Sequence, residues 1–407
     1  MIYPQPAPSV RVRRSDFLTA LGLAEAVTAR KPKIAQLGMI RARANGALVL
    51  EATDIDTSAR VELPYEGEHA DMVLSDPRRL RAAIVAAGGD VVGLSQFQLT
   101  AGEQSCRLAL SVGALDATMP SRNPADMPEC EEVAGVDFSA SLSADTLREI
   151  ARVVPAIATE ETRYYLNGVC IWHVADWTWR FGATDGHRLM LVDLPLPDAT
   201  GTIPNGTILP SRFIKLWMRL FQRCGDPIKI TFGPKIARNH PDATVLDLPV
   251  GAMRFAASST FGAVRCAITT KLIDGTYPDV EKVVPKEALS VARFDRQGLL
   301  QAINAVGAMA DGKLRAIKLT FGKDIATVSL AMSEAHSQMV IPCRHNCREG
   351  AAVGYNGRYL VDCIVALRGK EVTFSWDQPR GEFDGGPVLI TDETDTTFRC
   401  VLMSMRV

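Results

Sequence analysis

The chain has 407 residues, 47% of them hydrophobic and 22% charged, and its 45 Lys and Arg against 46 Asp and Glu leave a formal net charge of −1. That length suits two to four domains with their own cores, and the composition is that of an ordinary soluble globular protein. No apolar run approaches the ~20 residues that span a bilayer, and a near-neutral total means that any affinity for nucleic acid must come from how the charges are arranged. Met1-Ile-Tyr-Pro-Gln-Pro-Ala-Pro lacks the charged and apolar regions of a signal peptide and is expected to be a loose lead-in. The nine cysteines are odd in number and irregularly spaced, and are expected to be buried thiols of a cytoplasmic protein.

In chain order, a first helix is predicted at Ser15-Asp-Phe-Leu-Thr-Ala-Leu. Leu48-Val-Leu-Glu-Ala-Thr alternates as a half-buried strand and runs into Thr53-Asp54. A second helix follows at Asp76-Pro-Arg-Arg-Leu-Arg, with a strand after Gly88-Gly-Asp-Val-Val. Residues 120–128 read as a proline-rich linker, closed by the acidic residues 129–132. The same order then restarts: a helix at Ser143-Ala-Asp-Thr-Leu-Arg-Glu-Ile, Ala183-Thr184-Asp185, a helix at Pro210-Ser-Arg-Phe-Ile-Lys, a strand at Gly225-Asp-Pro-Ile-Lys-Ile. After a break from Tyr277-Pro278-Asp279 to Pro285 it restarts again. The third copy has Asp295-Arg-Gln-Gly-Leu-Leu, the strand Ile317-Lys-Leu-Thr-Phe, the helix Asn356-Gly-Arg-Tyr-Leu-Val and the strand Gly369-Lys-Glu-Val-Thr-Phe. A period this long marks duplicated domains and not a solenoid. The expected boundaries are residues 1–133, 134–288 and 289–407. Two helices beside many short strands make each copy α+β, its antiparallel sheets covered by helices on one face.

The helices carry one-sided charge. Arg212, Lys215, Arg219 and Arg223 recur at offsets of three and four, a single stripe opposite Phe213, Leu216, Trp217 and Leu220. Arg148 and Arg152 are expected as an i,i+4 pair on the earlier helix of the middle third, and Arg78, Arg79 and Arg81 crowd another helix start. Positive helices on an otherwise acidic body suit a polyanion backbone contacted without base reading. Exposed Arg and Lys are also simply good helix formers, and pattern alone leaves both readings open.

Local enzyme motifs fail. Gly307-Ala-Met-Ala-Asp-Gly312-Lys313 has Leu314 where a phosphate-binding loop needs Ser or Thr. Cys343-Arg-His345-Asn-Cys347 has no fourth ligand at zinc spacing. Asp185 and His187 lack any accompanying nucleophile motif.

Five segments in one order resemble the bacterial DNA polymerase III beta subunit, the sliding-clamp family. They are Glu161-Thr-Arg-Tyr-Tyr-Leu-Asn-Gly-Val, Ala183-Thr-Asp-Gly-His-Arg-Leu, Leu272-Ile-Asp-Gly-Thr-Tyr-Pro-Asp, Asn356-Gly-Arg-Tyr-Leu-Val-Asp, and the closing Pro387-Val-Leu-Ile with Val401-Leu-Met-Ser-Met-Arg-Val. The resemblance runs from about Val10 to Val407 and is strongest in the middle third and at the C-terminus, weaker in the first third. It implies a three-domain clamp fold whose protomers form a head-to-tail homodimeric ring around double-stranded DNA, with no sequence specificity, catalysis, cofactor or metal. Arg30, Lys31, Lys33, Arg78, Arg79, Arg81, Arg148, Arg152, Arg163, Arg212, Lys215, Arg219 and Arg223 are then the expected DNA-touching residues. Polymerase and clamp-loader subunits of this family insert short peptides into an apolar cleft between the second and third domains. The matching positions are Leu166, Thr184, Gly186, His187, Arg188, Leu189, Pro278, Val283, Pro387, Val401, Met403, Ser404, Met405 and Arg406. Ser404 and Val407 depart from the family's usual Pro and Leu there, and Ala35 from an expected Pro. Two alternatives remain: a basic repeat protein that binds nucleic acid without closing a ring, as a decoy or regulator, and an enzyme using Asp185 and His187.

Overall fold

The computed structural model describes residues 9–98, 106–235, 250–310, 316–330, 336–378 and 386–406. The lead-in, Gly312 to Leu314 of the phosphate-loop look-alike and Val407 lie outside the described residues. Six α-helices are present among those described: α1 (Arg14–Glu25), α2 (Pro77–Ala87), α3 (Ala144–Ala151), α4 (Ser211–Phe221), α5 (Arg296–Gly307) and α6 (Gly357–Ala366). They start where local capping chemistry says they should. Asp76 accepts the Arg79 N–H, Ser143 the Thr146 N–H, Asp295 the Gly298 N–H, and Asn356 those of Arg358 and Tyr359. Helix α1 has no side-chain cap.

The chain forms two compact units, residues 1–148, 198–204 and 212–274 in the first, and 149–197, 205–211 and 275–407 in the second. In the first unit a five-stranded antiparallel sheet runs Glu66–Gly67, Val10–Arg13, Val91–Gln98, Cys106–Val112, Leu115–Ser121. A nine-stranded sheet runs Thr200–Gly201, Phe138–Leu142, Ile228–Pro234, Met253–Phe261, Val264–Lys271, Thr57–Leu63, Ala47–Thr53, Ile40–Asn45, Ala70–Leu74. Its two halves, far apart in sequence, join where Thr57–Leu63 pairs with Val264–Lys271, Thr57 opposite Thr270. Helix α1 lies on this sheet through Phe17, Ala20, Leu21 and Ala24, all fully buried. Residues 120–128, expected as linker, give Pro120 and Ser121 to an edge strand and Pro124–Asp126 to a 3-10 turn. The acidic residues after it dock: Glu131 pairs with the buried Arg254, and Glu132 with Arg60.

The second unit repeats the plan. A nine-stranded sheet runs Thr207–Pro210, Gly168–Ala175, Thr178–Thr184, Arg188–Pro195, Asp395–Met403, Pro387–Asp392, Glu371–Trp376, Ser290–Asp295, Arg344–His345. A four-stranded sheet runs Gln338–Pro342, Ile325–Leu330, Ala316–Gly322, Ala352–Asn356. The duplication reaches a single backbone hydrogen bond. Arg14 opens α1 with its N–H on Asp90 O, and Arg296 opens α5 with its N–H on Lys370 O, each acceptor standing just before a strand. All nine cysteines are free thiols. Eight are buried, and burial pushes the half-buried Cys130 up to about 12.

Candidate peptide pocket and cationic surface

The second unit contains an apolar cavity of about 280 Å³. One side is the turn between strands Thr178–Thr184 and Arg188–Pro195. Thr184 Oγ accepts the Gly186 N–H at 3.1 Å and donates to Arg188 O at 2.7 Å, while Asp185 Oδ1 accepts the N–H groups of His187 and Arg188. Gly186 has φ +85°, a conformation that favours glycine, and a Cβ there would lie 2.5 Å from the Arg163 guanidinium. The floor comes from strand pairing: Arg188 lies opposite Leu402, Leu189 opposite Val401, and the Met403 N–H reaches His187 O at 2.9 Å. Pro278, Val280 and Val283 form a further wall. Shape and lining suit an apolar side chain held near a few polar groups.

Ten of the fourteen expected cleft residues line this cavity: Leu166, Thr184, Gly186, His187, Arg188, Leu189, Pro278, Val283, Val401 and Met403. The other four do not. Pro387 pairs with Met403 in the sheet, Ser404 Oγ donates to Gly386 O, Met405 bridges to Gly354, and Arg406 is exposed. Tyr165, Asp279 and Val280 also line it, as does Arg163, expected on the DNA side. Arg163 donates from Nε and Nη2 to Glu160, at 3.0 and 2.8 Å.

Arg188 is not a free cation. It is 7% exposed, pairs with Asp185 at 3.1 Å and Asp362 at 2.5 Å, donates to Pro155 O, and lies 4.3 Å from the Tyr359 ring centroid. Burial works against its charge, but the hydrogen bond to Asp362 and the two carboxylates outweigh this and raise its pKa. The same bonds weaken the notion of a catalytic pair. Asp185 spends one oxygen on the turn and the other on Arg188, and it holds the His187 backbone while the imidazole stacks on Tyr359. Cys343 and Cys347 are buried, His345 Nε2 bonds Gly322 O, and no metal-binding group of His, Cys, Asp and Glu converges among the described residues.

In the first unit, the ends of α1, α2 and α4 enclose a polar cavity of about 430 Å³. Arg30, Arg78, Arg81 and Arg219 line it around one carboxylate, Glu25, which pairs with Arg78 at 3.3 Å and Arg81 at 3.7 Å. Lys31, Lys33, Arg79, Arg148, Lys215 and Arg223 are exposed, Arg148 paired with Asp145. Arg212 and Arg219 are partly engaged at the end of α1, donating to Val27 O and Ala26 O. Arg152 departs from expectation. Helix α3 ends at Ala151, so no helical stripe with Arg148 forms. Its guanidinium in the second unit pairs with Glu149 and Asp395 at 2.7 and 2.6 Å and lies 3.8 Å from the Phe398 centroid, leaving the side chain 9% exposed.

Comparison with known proteins gives one answer. Residues 141–279 match the DNA polymerase III beta subunit central domain, and residues 281–406 its C-terminal domain. The beta sliding clamp of Caulobacter vibrioides is 28% identical over 97% of this chain and 99% of its own length; that of Pseudomonas putida is 26% identical over 89% and 91%. A crystal structure of the Caulobacter crescentus polymerase sliding clamp superposes with a TM-score of 0.82 at 26% identity, covering 98% of this chain and 99% of that one. One from Bartonella birtlesii, bound to griselimycin, gives 0.81 at 24%, covering 99% and 100%. The chain therefore belongs to the DNA polymerase III beta subunit family, the DNA sliding clamps.

Proposed function

We propose that the chain works as a replicative processivity clamp: two copies close head to tail around duplex DNA and hold polymerases through the apolar cavity of the second unit. The observation that carries the peptide reading is the convergence of the Thr184–Leu189 turn, Pro278–Val283 and the C-terminal Val401 and Met403 on one cavity in a chain of this family. The domains at residues 1–133, 134–288 and 289–407 are the proposed duplicated units of that ring. A head-to-tail contact closes when the rotation between copies permits. Function is then topological and needs no catalytic group. A polymerase tethered to the ring experiences an effective concentration on the order of mM and rebinds the primer end before it diffuses away.

The exposed and cavity-lining cations Arg30, Lys31, Lys33, Arg78, Arg79, Arg81, Arg148, Lys215, Arg219 and Arg223 are the proposed phosphate contacts. Such contacts are sequence-blind, fall off with salt and permit sliding. Polymerase and clamp-loader subunits are the proposed owners of the docked peptide, and the cytoplasm the proposed compartment. Protein loaded onto nicked circular DNA should stay bound and leave when the circle is cut. Equal retention on linear DNA overturns the ring in favour of a plain basic binder. For the cavity, Met403→Ala should weaken a polymerase-derived peptide about tenfold, as truncating a central anchor does, without changing dimer assembly. Unchanged affinity removes the cavity from the mechanism.

A further inference from the structure

One wall of the apolar cavity is neither a strand nor an α-helix. Pro278, Asp279, Val280 and Val283 sit on a loop whose only regular piece is the 3-10 turn Val280–Val283. No ladder of backbone hydrogen bonds fixes such a segment, so side chains must. At its start Tyr277, 7% exposed, is pinned. Its phenol oxygen accepts the Thr184 N–H at 2.9 Å, and its ring meets Trp172 edge-on at 5.5 Å. Further along, two arginines converge on Glu281. Arg180 is clamped by Asp193, Nε to Oδ1 at 2.5 Å and Nη2 to Oδ2 at 2.7 Å, and its remaining nitrogen Nη1 reaches Glu281. Arg399 Nη2 donates to the same Glu281 oxygen at 3.1 Å.

Both arginines stand on sheet strands, Thr178–Thr184 and Asp395–Met403, and the second strand carries Val401 and Met403 into the cavity. Glu281 itself does not line the cavity. It ties the loop wall to the sheet floor. Val280, buried, and Val283, 44% exposed, share its single turn, so any movement that frees Glu281 shifts both valines relative to Met403.

We propose that Glu281 is a positioning residue that sets the width of this cavity, and with it the size of apolar side chain that a bound peptide can place there. This rests on the peptide-binding reading above. Charge is what makes the tie specific: two guanidinium groups face one carboxylate, and a charge-assisted bond is about twice as strong as a neutral one. Because Glu281 is half exposed, the effect should be modest.

The test uses the full chain with Glu281→Gln, which keeps shape and removes charge, and Glu281→Ala. Hydrogen exchange at the amides of residues 279–283 should quicken about tenfold in both variants, with the Thr178–Thr184 strand unchanged, as expected when a local tie and not the fold is lost. Two fluorescein-labelled pentapeptides, identical but for a final Leu or a final Phe, supply the second readout. The native chain should prefer one, and the variants should reduce that preference about fivefold, the upper reach of a partly exposed ion pair. Unchanged exchange together with an unchanged preference overturns the proposal. So does an equal loss of affinity for both peptides with exchange unaltered, which marks general destabilisation. If the native chain binds neither peptide, the peptide reading fails, while the exchange result still decides whether Glu281 holds the wall.

Discussion

Arg212 and Asp54 are ion-paired within the first unit, although Arg212 is the first cation of the α4 stripe. The Asp54 side chain is only 4% exposed, and its other oxygen accepts the N–H groups of Asp56 and Thr57 at 3.1 and 2.7 Å. Arg212 also donates to Val27 O. Removing it strips a near-buried carboxylate of its cation, a cost that is paid by folding before any DNA is present. Lys215, on the same stripe, has no ion pair among the described residues. Lys215→Glu should therefore weaken DNA retention, lower the salt dependence of binding by about one ion, and leave urea stability within about 0.5 kcal/mol. Arg212→Ala should cost about 1 kcal/mol of stability as well. Equal stability of the two variants would refute the structural share assigned to Arg212.

The Asp54 turn has the same hydrogen bonds as the Asp185 turn, but the residue in the left-handed position differs. Ile55, φ 86°, stands where the other turn has Gly186, φ 85°, and its N–H meets Thr53 Oγ as that of Gly186 meets Thr184 Oγ. A β-branched residue in this region costs about 1–2 kcal/mol, and Ile55 is half exposed, so little burial repays it. Ile55→Gly should stabilise the chain by about 0.5–1 kcal/mol after the added entropy of glycine is counted. Gly186→Ala should go the other way, by about 1–2 kcal/mol. Denaturant midpoints at unchanged slope check both.

The contrast between those turns shows what sequence carries and what it does not. Caps and apolar spacing are local, so the helix starts at Asp76, Asp295 and Asn356 were legible from neighbours alone, whereas Thr53-Asp54 and Thr184-Asp185 were legible as a repeat but not as a turn. The α+β class followed from them. The joining of Thr57–Leu63 to Val264–Lys271 was not legible, because strand partners distant in sequence are chosen by burial on both faces, not by nearby residues. Ten residues expected from the resemblance line one cavity, and Tyr165 and Val280 line it without being among those expected: one apolar residue in a turn looks like any other. Arg152 was misplaced because i,i+4 spacing defines a face only while the helix lasts, and α3 stops one residue short of it.

Arg188 sits between two carboxylates that it alone among these residues neutralises. Asp185 and Asp362 reach it from the turn and from α6. Arg188→Ala leaves both acids in a partly buried place and should cost about 2–3 kcal/mol, so loss of peptide binding in that variant would not by itself place Arg188 against the ligand. Arg188→Ala with Asp362→Ala should recover about 1 kcal/mol relative to the sum of the single changes, the coupling expected of a contacting pair. Thermal or urea unfolding of the four proteins in the cycle measures it, and additivity would show that the pair does not hold the turn.

Asp392 gives the second unit an acid limit. Its buried carboxylate accepts the N–H groups of Arg368, Gly369 and Thr394 and the Thr394 hydroxyl. Burial pushes its pKa up, but these four bonds outweigh burial and bring it down from 3.8 to about 2. The acid is thus harder to protonate in the folded chain than in the unfolded one, and the folded state gains while it stays ionised. That gain, about 2 kcal/mol, is complete above about pH 4 and is lost as pH falls toward 2. Asp392→Asn should remove most of it at neutral pH and flatten the pH 4 to 2 limb of the stability curve, read by urea unfolding across that range. A native chain whose stability is level from pH 5 to 2 would show that these bonds do not favour the ionised form.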